Sequence, residues 1–170
     1  RGCEQNGYHH LDVWGHSLET LAACEEMIRD PGAAFGPAGG AVRDMLKQDA
    51  HIPLLKLSAL LHDAAKPLVK KPDPDKGRII FHGHARLGAD MATGVAERLR
   101  LSSTQSSLLY ALVRQHMRPV ILSQPDVKKS TVINWFREMK DTALLVMVLS
   151  VAVVTAKSGE KLTKEAKDRF

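Results

Sequence analysis

The segment Pro53-Leu-Leu-Lys-Leu-Ser-Ala-Leu-Leu-His62-Asp63 decides how the rest of the chain is read. An apolar run of this length, opened by a proline whose missing N–H is harmless in a first turn, predicts a buried helix over 53–63. Ala64-Ala65-Lys66-Pro67 follows, and Pro67 breaks it. His62 and Asp63 therefore stand side by side where an interior helix stops. Burying a carboxylate beside an imidazole costs about a few kcal/mol per uncompensated charge. A divalent cation is the simplest compensation. Neighbouring residues on a regular helix point about 100° apart. His62 and Asp63 thus share one ion only at a helix end, or the carboxylate bridges two ions.

Reading outward, three more histidines fall on or beside segments with a helical pattern: His16, His84 and His116. Trp14, Leu18, Leu21 and Ile28 recur at helical spacing and predict a first helix over 11–29, stopped by Asp30-Pro31-Gly32. The Gly-, Pro- and Ala-rich stretch 31–40 reads as a loop, and 41–47 as a short helix. Residues 70–78, Lys-Lys-Pro-Asp-Pro-Asp-Lys-Gly-Arg, read as a charged, turn-rich loop, with Ile79-Ile80-Phe81 briefly extended. Helix resumes over 84–99. Ser102 with Gln105 forms a capping box opening a helix to about Met117, which Pro119 ends. Ser130 is the expected cap of a helix over 131–139. Asp141 is the expected cap of a long apolar helix to about Lys157, closed by Gly159, with a charged tail reading as a solvated helix. The expected fold is all-α, with six or seven helices, almost no strand and no internal repeat.

The composition agrees. The 170 residues fit one domain with a real core, 44% are hydrophobic and only 5% aromatic, so Leu, Val, Ala and Met must fill the interior. That suits helices better than a sandwich. The formal charge of +5 is compatible with phosphate-bearing partners but too small to establish nucleic-acid binding by itself. Cys3 and Cys24 have no paired spacing, which excludes a zinc ribbon or a disulfide framework. A reducing, cytoplasmic setting is the expectation. The stretch 143–156 is shorter than the roughly 20 residues a membrane span needs and reads as a core helix, so no membrane association is expected. A single domain over 1–170 is expected, with its core at 8–157 and a charged tail at 158–170. The start at Arg1 suggests a piece of a longer chain.

His16, His62, Asp63, His84 and His116 are the candidate metal ligands. Four imidazoles and a carboxylate favour one or two transition-metal ions, Mn, Fe, Co, Ni or Zn, over Mg or Ca with their oxygen shells. Such an ion polarises a phosphoryl oxygen and acidifies water. Lys66, three residues beyond Asp63, can hold a phosphate oxygen as a point charge, and Arg86, Arg114 and Arg118 are candidate phosphate clamps. His82, two residues before His84, can be a ligand, a ligand's supporting partner or a bystander, and reads best as a supporting partner or a proton donor. His9, His10 and His51 read as packing or surface residues. The expected catalytic set is Asp63, Lys66 and His82, with His116 as an alternative proton carrier, and the expected substrate is a phosphorylated small molecule or nucleotide.

The order His16, His62-Asp63, His84, His116 resembles the HD-domain superfamily of metal-dependent phosphohydrolases. Tyr8-His-His-Leu-Asp-Val-Trp-Gly-His-Ser-Leu-Glu-Thr-Leu, Leu60-Leu-His-Asp-Ala-Ala-Lys-Pro, Phe81-His-Gly-His-Ala-Arg-Leu-Gly-Ala and Val113-Arg-Gln-His-Met-Arg-Pro are similar to its successive blocks. Together they look most like the HD domain of bacterial tRNA nucleotidyltransferase and poly(A) polymerase-type proteins. The resemblance implies a helical bundle with metal between helices. It implies that His16, His62 and Asp63 hold a first ion, that His84 and His116 hold a second, and that Asp63 bridges them. It implies hydrolysis of a phosphomonoester or phosphodiester, of a nucleotide or an RNA end. One departure stands out: Val153 occupies the place where the family's last helix usually supplies an Asp, and neither Asp90 nor Asp141 matches the motif. An alternative reading is an RNA-binding or regulatory HD domain with little or no catalysis, holding tRNA or another RNA on Lys70, Lys71, Lys76, Arg78 and Lys128. No Gly-Ser with paired Asp on strands is present, so nucleotide addition by this chain is not expected.

Overall fold

The computed structural model describes residues 2–3, 11–74 and 77–158; the side chains of residues 157 and 158 are outside that description. The expectations for Tyr8, His9, His10, Lys76, Gly159 and the tail fall outside the described residues. Among those described, seven helices have eight residues or more: α1 (Val13–Arg29), α3 (Gly39–Leu46), α4 (His51–Leu61), α6 (His84–Arg98), α7 (Ser103–Gln115), α9 (Lys129–Met139) and α10 (Thr142–Ser158). Three single turns, α2 (Pro31–Phe35), α5 (Lys66–Val69) and α8 (Arg118–Leu122), join them. The architecture is an all-α bundle, as the sequence predicts.

The run expected at 53–63 lies in α4, which opens at His51 and ends at Leu61, with Leu54, Leu55, Ser58 and Ala59 buried. This helix packs against α1, α7 and α10, while α6 lies along α7. The apolar stretch of α10 is a core helix: Leu145, Val146, Val148, Leu149, Ala152 and Val153 are all buried. No single described helix is long and apolar enough to cross a membrane. The Asp12 carboxylate accepts from Gly15 N–H at 2.7 Å and caps α1. The capping box of α7 is present in both directions, between Ser102 and Gln105.

Three prolines do more than the sequence reading expects. Pro31, Pro67 and Pro119 each follow the end of a helix, as expected, and each also sits in the first turn of a new one, α2, α5 and α8, so that the loop expected at 31–40 is helical instead. The missing N–H that stops one helix costs nothing at the start of the next, where the fixed φ is already helical. Residues 31–38 are accordingly helical, with a 3-10 turn at Gly36–Ala38. Within the stretch expected as a charged loop, Lys71–Asp73 forms a short strand, β1, paired antiparallel with β2 (Arg78–Ile80), Lys71 opposite Ile80; Ile79 and Ile80 are extended as expected. Helix α9 starts at Lys129 with Lys128 as its first flanking residue and no side-chain cap, so Ser130 lies inside it.

Candidate metal centre

Four elements meet at the end of α4. His62 is the residue that closes α4, and His116 closes α7. His84 opens α6, preceded by Gly83 at φ 83°, a left-handed turn that glycine adopts without a Cβ penalty. His16 projects from the first turns of α1. His16, His62, Asp63 and His116 are all buried to 2% exposure or less.

Three of the rings are set by the same local device. The Nδ1 of His62 lies 2.9 Å from the Ala59 carbonyl, that of His84 2.8 Å from Phe81 and that of His116 2.8 Å from Val113. Each carbonyl comes from three residues earlier and can only accept, so each Nδ1 carries the proton. The Nε2 lone pair is left for something else.

Those Nε2 atoms converge on Asp63. On one oxygen, Oδ2, His62 Nε2 stands at 3.2 Å and His16 Nε2 at 3.8 Å. On the other, Oδ1, His84 Nε2 stands at 3.3 Å and His116 Nε2 at 3.8 Å, with 3.4 Å between the two imidazole nitrogens. His16, His62 and Asp63 thus form one group, and Asp63, His84 and His116 a second, each with donor atoms within 4.8 Å of one another. A metal–nitrogen bond of about 2.1 Å in a tetrahedral shell sets its donors about 3.4 Å apart. The measured separations bracket that value. His62 Nε2 and Asp63 Oδ1 are buried without a hydrogen-bond partner. A lone pair facing a carboxylate with no proton shared between them is what a cation between them would satisfy. The donor set therefore fits one or two divalent ions.

The electrostatics point the same way. Burial alone would raise the Asp63 carboxyl, but the imidazoles, His62 foremost, and the Lys66 ammonium outweigh it and hold it well below the usual range. Burial pushes His116 down to about 3 and also lowers His84. These rings are neutral at physiological pH, so no proton has to leave before they bind a metal. Lys66 Nζ contacts Asp63 Oδ2 at 2.7 Å and lies 5.3 Å from the centre of the Phe81 ring.

A cavity of about 650 Å³ opens onto Asp63 and His84. Lys66, His82, Arg86, Arg114 and Arg118, all singled out in the sequence, line it. His82 is exposed in the turn before α6 and belongs to neither donor group. Val153, 2% exposed, forms an apolar part of the same wall. Asp90 and Asp141 are both exposed and in neither donor group. Arg78 was read as part of an RNA face, but β2 brings it to the cavity wall. Its signal was hidden because it depends on the hairpin folding back. Lys70, Lys71 and Lys128 are exposed away from the cavity lining.

A helical bundle gathering four histidines around one aspartate defines a class of metal-binding helical domain. A model of the HD domain matches residues 13–167, and the chain belongs to that family. It is 32% identical over 166 residues to an A-adding tRNA nucleotidyltransferase of Deinococcus radiodurans, covering 98% of this chain and 33% of that protein. It is 34% identical over 117 residues to a CC-adding tRNA nucleotidyltransferase of Thermus thermophilus, covering 68% of this chain and 22% of that protein. The chain thus spans about a third or less of the length of these relatives.

Proposed function

We propose that this HD domain is a metal-dependent phosphohydrolase acting on the phosphate of a nucleotide or an RNA end. The observation that carries the reading is the Asp63 carboxylate, each of whose oxygens faces two imidazoles at the floor of a cavity walled by Lys66, Arg86, Arg114 and Arg118. His16, His62 and Asp63 would hold one divalent ion, and Asp63, His84 and His116 a second. A bound ion supplies Lewis-acid polarisation of a phosphoryl oxygen and a more acidic water. The chain's own groups do the rest. The arginines bind the ester's peripheral oxygens in a fixed orientation. Lys66 keeps a positive charge beside the reacting phosphate. His82, exposed and lining the cavity, would hand a proton to the leaving oxygen. The buried Val153 keeps water out of the adjoining wall.

The test is hydrolysis of an aryl phosphate and of 2′,3′-cyclic nucleotides by protein purified without chelator. Activity lost in both His62→Ala and Asp63→Ala is the expected result; activity retained in either metal-free variant overturns the reading. The relatives favour a second one, in which this is the RNA-holding HD portion of a cytoplasmic tRNA nucleotidyltransferase-type protein, contributing no chemistry. RNA affinity that falls steeply with salt, in a protein inactive on every phosphoester, would select it.

A further inference from the structure

Beyond the metal cavity, α9 and the end of α7 enclose a second, polar pocket of about 370 Å³. Arg114, Gln115 and Arg118 belong to both walls, so the two spaces meet across a ridge of two guanidinium groups. On the far side stand Asn134, Trp135 and Glu138 of α9. Asn134 and Glu138 are exposed and four residues apart, on one helix face flanking Trp135.

Trp135 is the informative member. It is 5% exposed, and its indole N–H is buried with no hydrogen-bond partner. An indole nitrogen is a donor only and normally finds an acceptor when buried. Trp135 lines a pocket whose other groups are two amides, a hydroxyl, a carboxylate and two cations.

We propose that this pocket is a nucleoside subsite: the phosphate lies at the metal cavity, the Arg114–Arg118 ridge holds the link, and the base and ribose lie against α9. This inference rests on the phosphohydrolase reading for what happens to the phosphate, but not for the binding itself. A phosphate alone needs only the first cavity. A base and a ribose present donors and acceptors together, and the α9 pocket offers both: the Trp135 N–H and Asn134 amide donate, while the Asn134 carbonyl and Glu138 carboxylate accept. The size is that of a small-ligand pocket, and the two spaces together accommodate a nucleotide rather than inorganic phosphate.

The test uses the protein as purified, with Trp14→Phe so that Trp135 is the reporting fluorophore. Emission is titrated with 5′-AMP, ribose 5-phosphate and inorganic phosphate. AMP is expected to change Trp135 emission and to bind at least about tenfold tighter than ribose 5-phosphate, the scale of one or two good hydrogen bonds. Asn134→Ala, an exposed substitution, is expected to bring AMP down to the ribose 5-phosphate level and to leave inorganic phosphate unchanged. Trp135→Phe, followed by calorimetry, is expected to weaken AMP alone. Equal affinities for AMP and ribose 5-phosphate, or an AMP preference that survives Asn134→Ala, would overturn the subsite. A protein that hydrolyses phosphoesters yet shows equal affinities loses the subsite and keeps the hydrolase. A protein that shows the AMP preference without turnover loses the hydrolase and keeps the subsite.

Discussion

The two sides of Asp63 share one carboxylate and little else. On the Oδ2 side, His16 and His62 come from α1 and α4, and Lys66 already holds that oxygen at 2.7 Å. On the Oδ1 side, His84 and His116 come from α6 and α7, their nitrogens lie 3.4 Å apart, and the cavity opens beside His84. The inner side has a cation at contact distance on its oxygen; the outer side opens to the cavity. A bridging carboxylate thus does not make two equivalent sites. What else each oxygen touches decides how strongly it can attract an ion.

The largest effect is expected from removing what both sides share. Asp63→Ala should abolish bound metal on elemental analysis and leave Lys66 buried without its carboxylate, destabilising the fold by about 3–5 kcal/mol in denaturant titration. Retained metal at one equivalent per chain would mean the imidazoles suffice. Next come single ligands. His84→Ala should lower outer-side affinity by about 100-fold or more, since even supporting partners of ligands cost 10–100-fold; His16→Ala should cost the inner side alone. Metal titrations of the two variants that look identical would erase the distinction between the sides.

Val153→Asp sharpens it in the opposite direction. The added carboxylate should raise metal stoichiometry toward two per chain, while the chelated protein becomes less stable, by on the order of a few kcal/mol, because the new charge is buried. Melting with and without chelator separates the two. Lys66→Met should also raise inner-side affinity, by freeing Oδ2, while weakening phosphate binding; unchanged metal affinity would show that the ammonium does not compete. The smallest effect is a control at the far end of the helix that ends in His116. Ser102→Ala should cost about 1 kcal/mol of stability and leave metal binding untouched.

The helical architecture was legible because α4 and α10 are apolar enough to be interior whatever their partners. The convergence of His16, His62, Asp63, His84 and His116 was legible from motif order, and the structure brings all five together. Prolines 31, 67 and 119 marked the helix ends but not the short helices they open, since one local property both stops a helix and starts the next. Arg78 and Trp135 were illegible for another reason. Arg78 read only as one of several exposed cations and Trp135 not at all; one reaches the cavity through strand pairing and the other its pocket through the placement of α9 across from the end of α7. Local chemistry can be read from spacing, whereas residues delivered by tertiary contact cannot.

The carbonyl three residues before His62, His84 and His116 has a mechanical corollary. Each imidazole is latched to its own helix end or turn, not to a neighbouring element. A slide of α7 along α4 would carry the His116 ring as a rigid tooth, changing its gap to Asp63 without rotating the donor atom. Tuning such a centre for a larger or smaller cation would then be a matter of helix translation, adjustable by substitutions far from the ligands themselves.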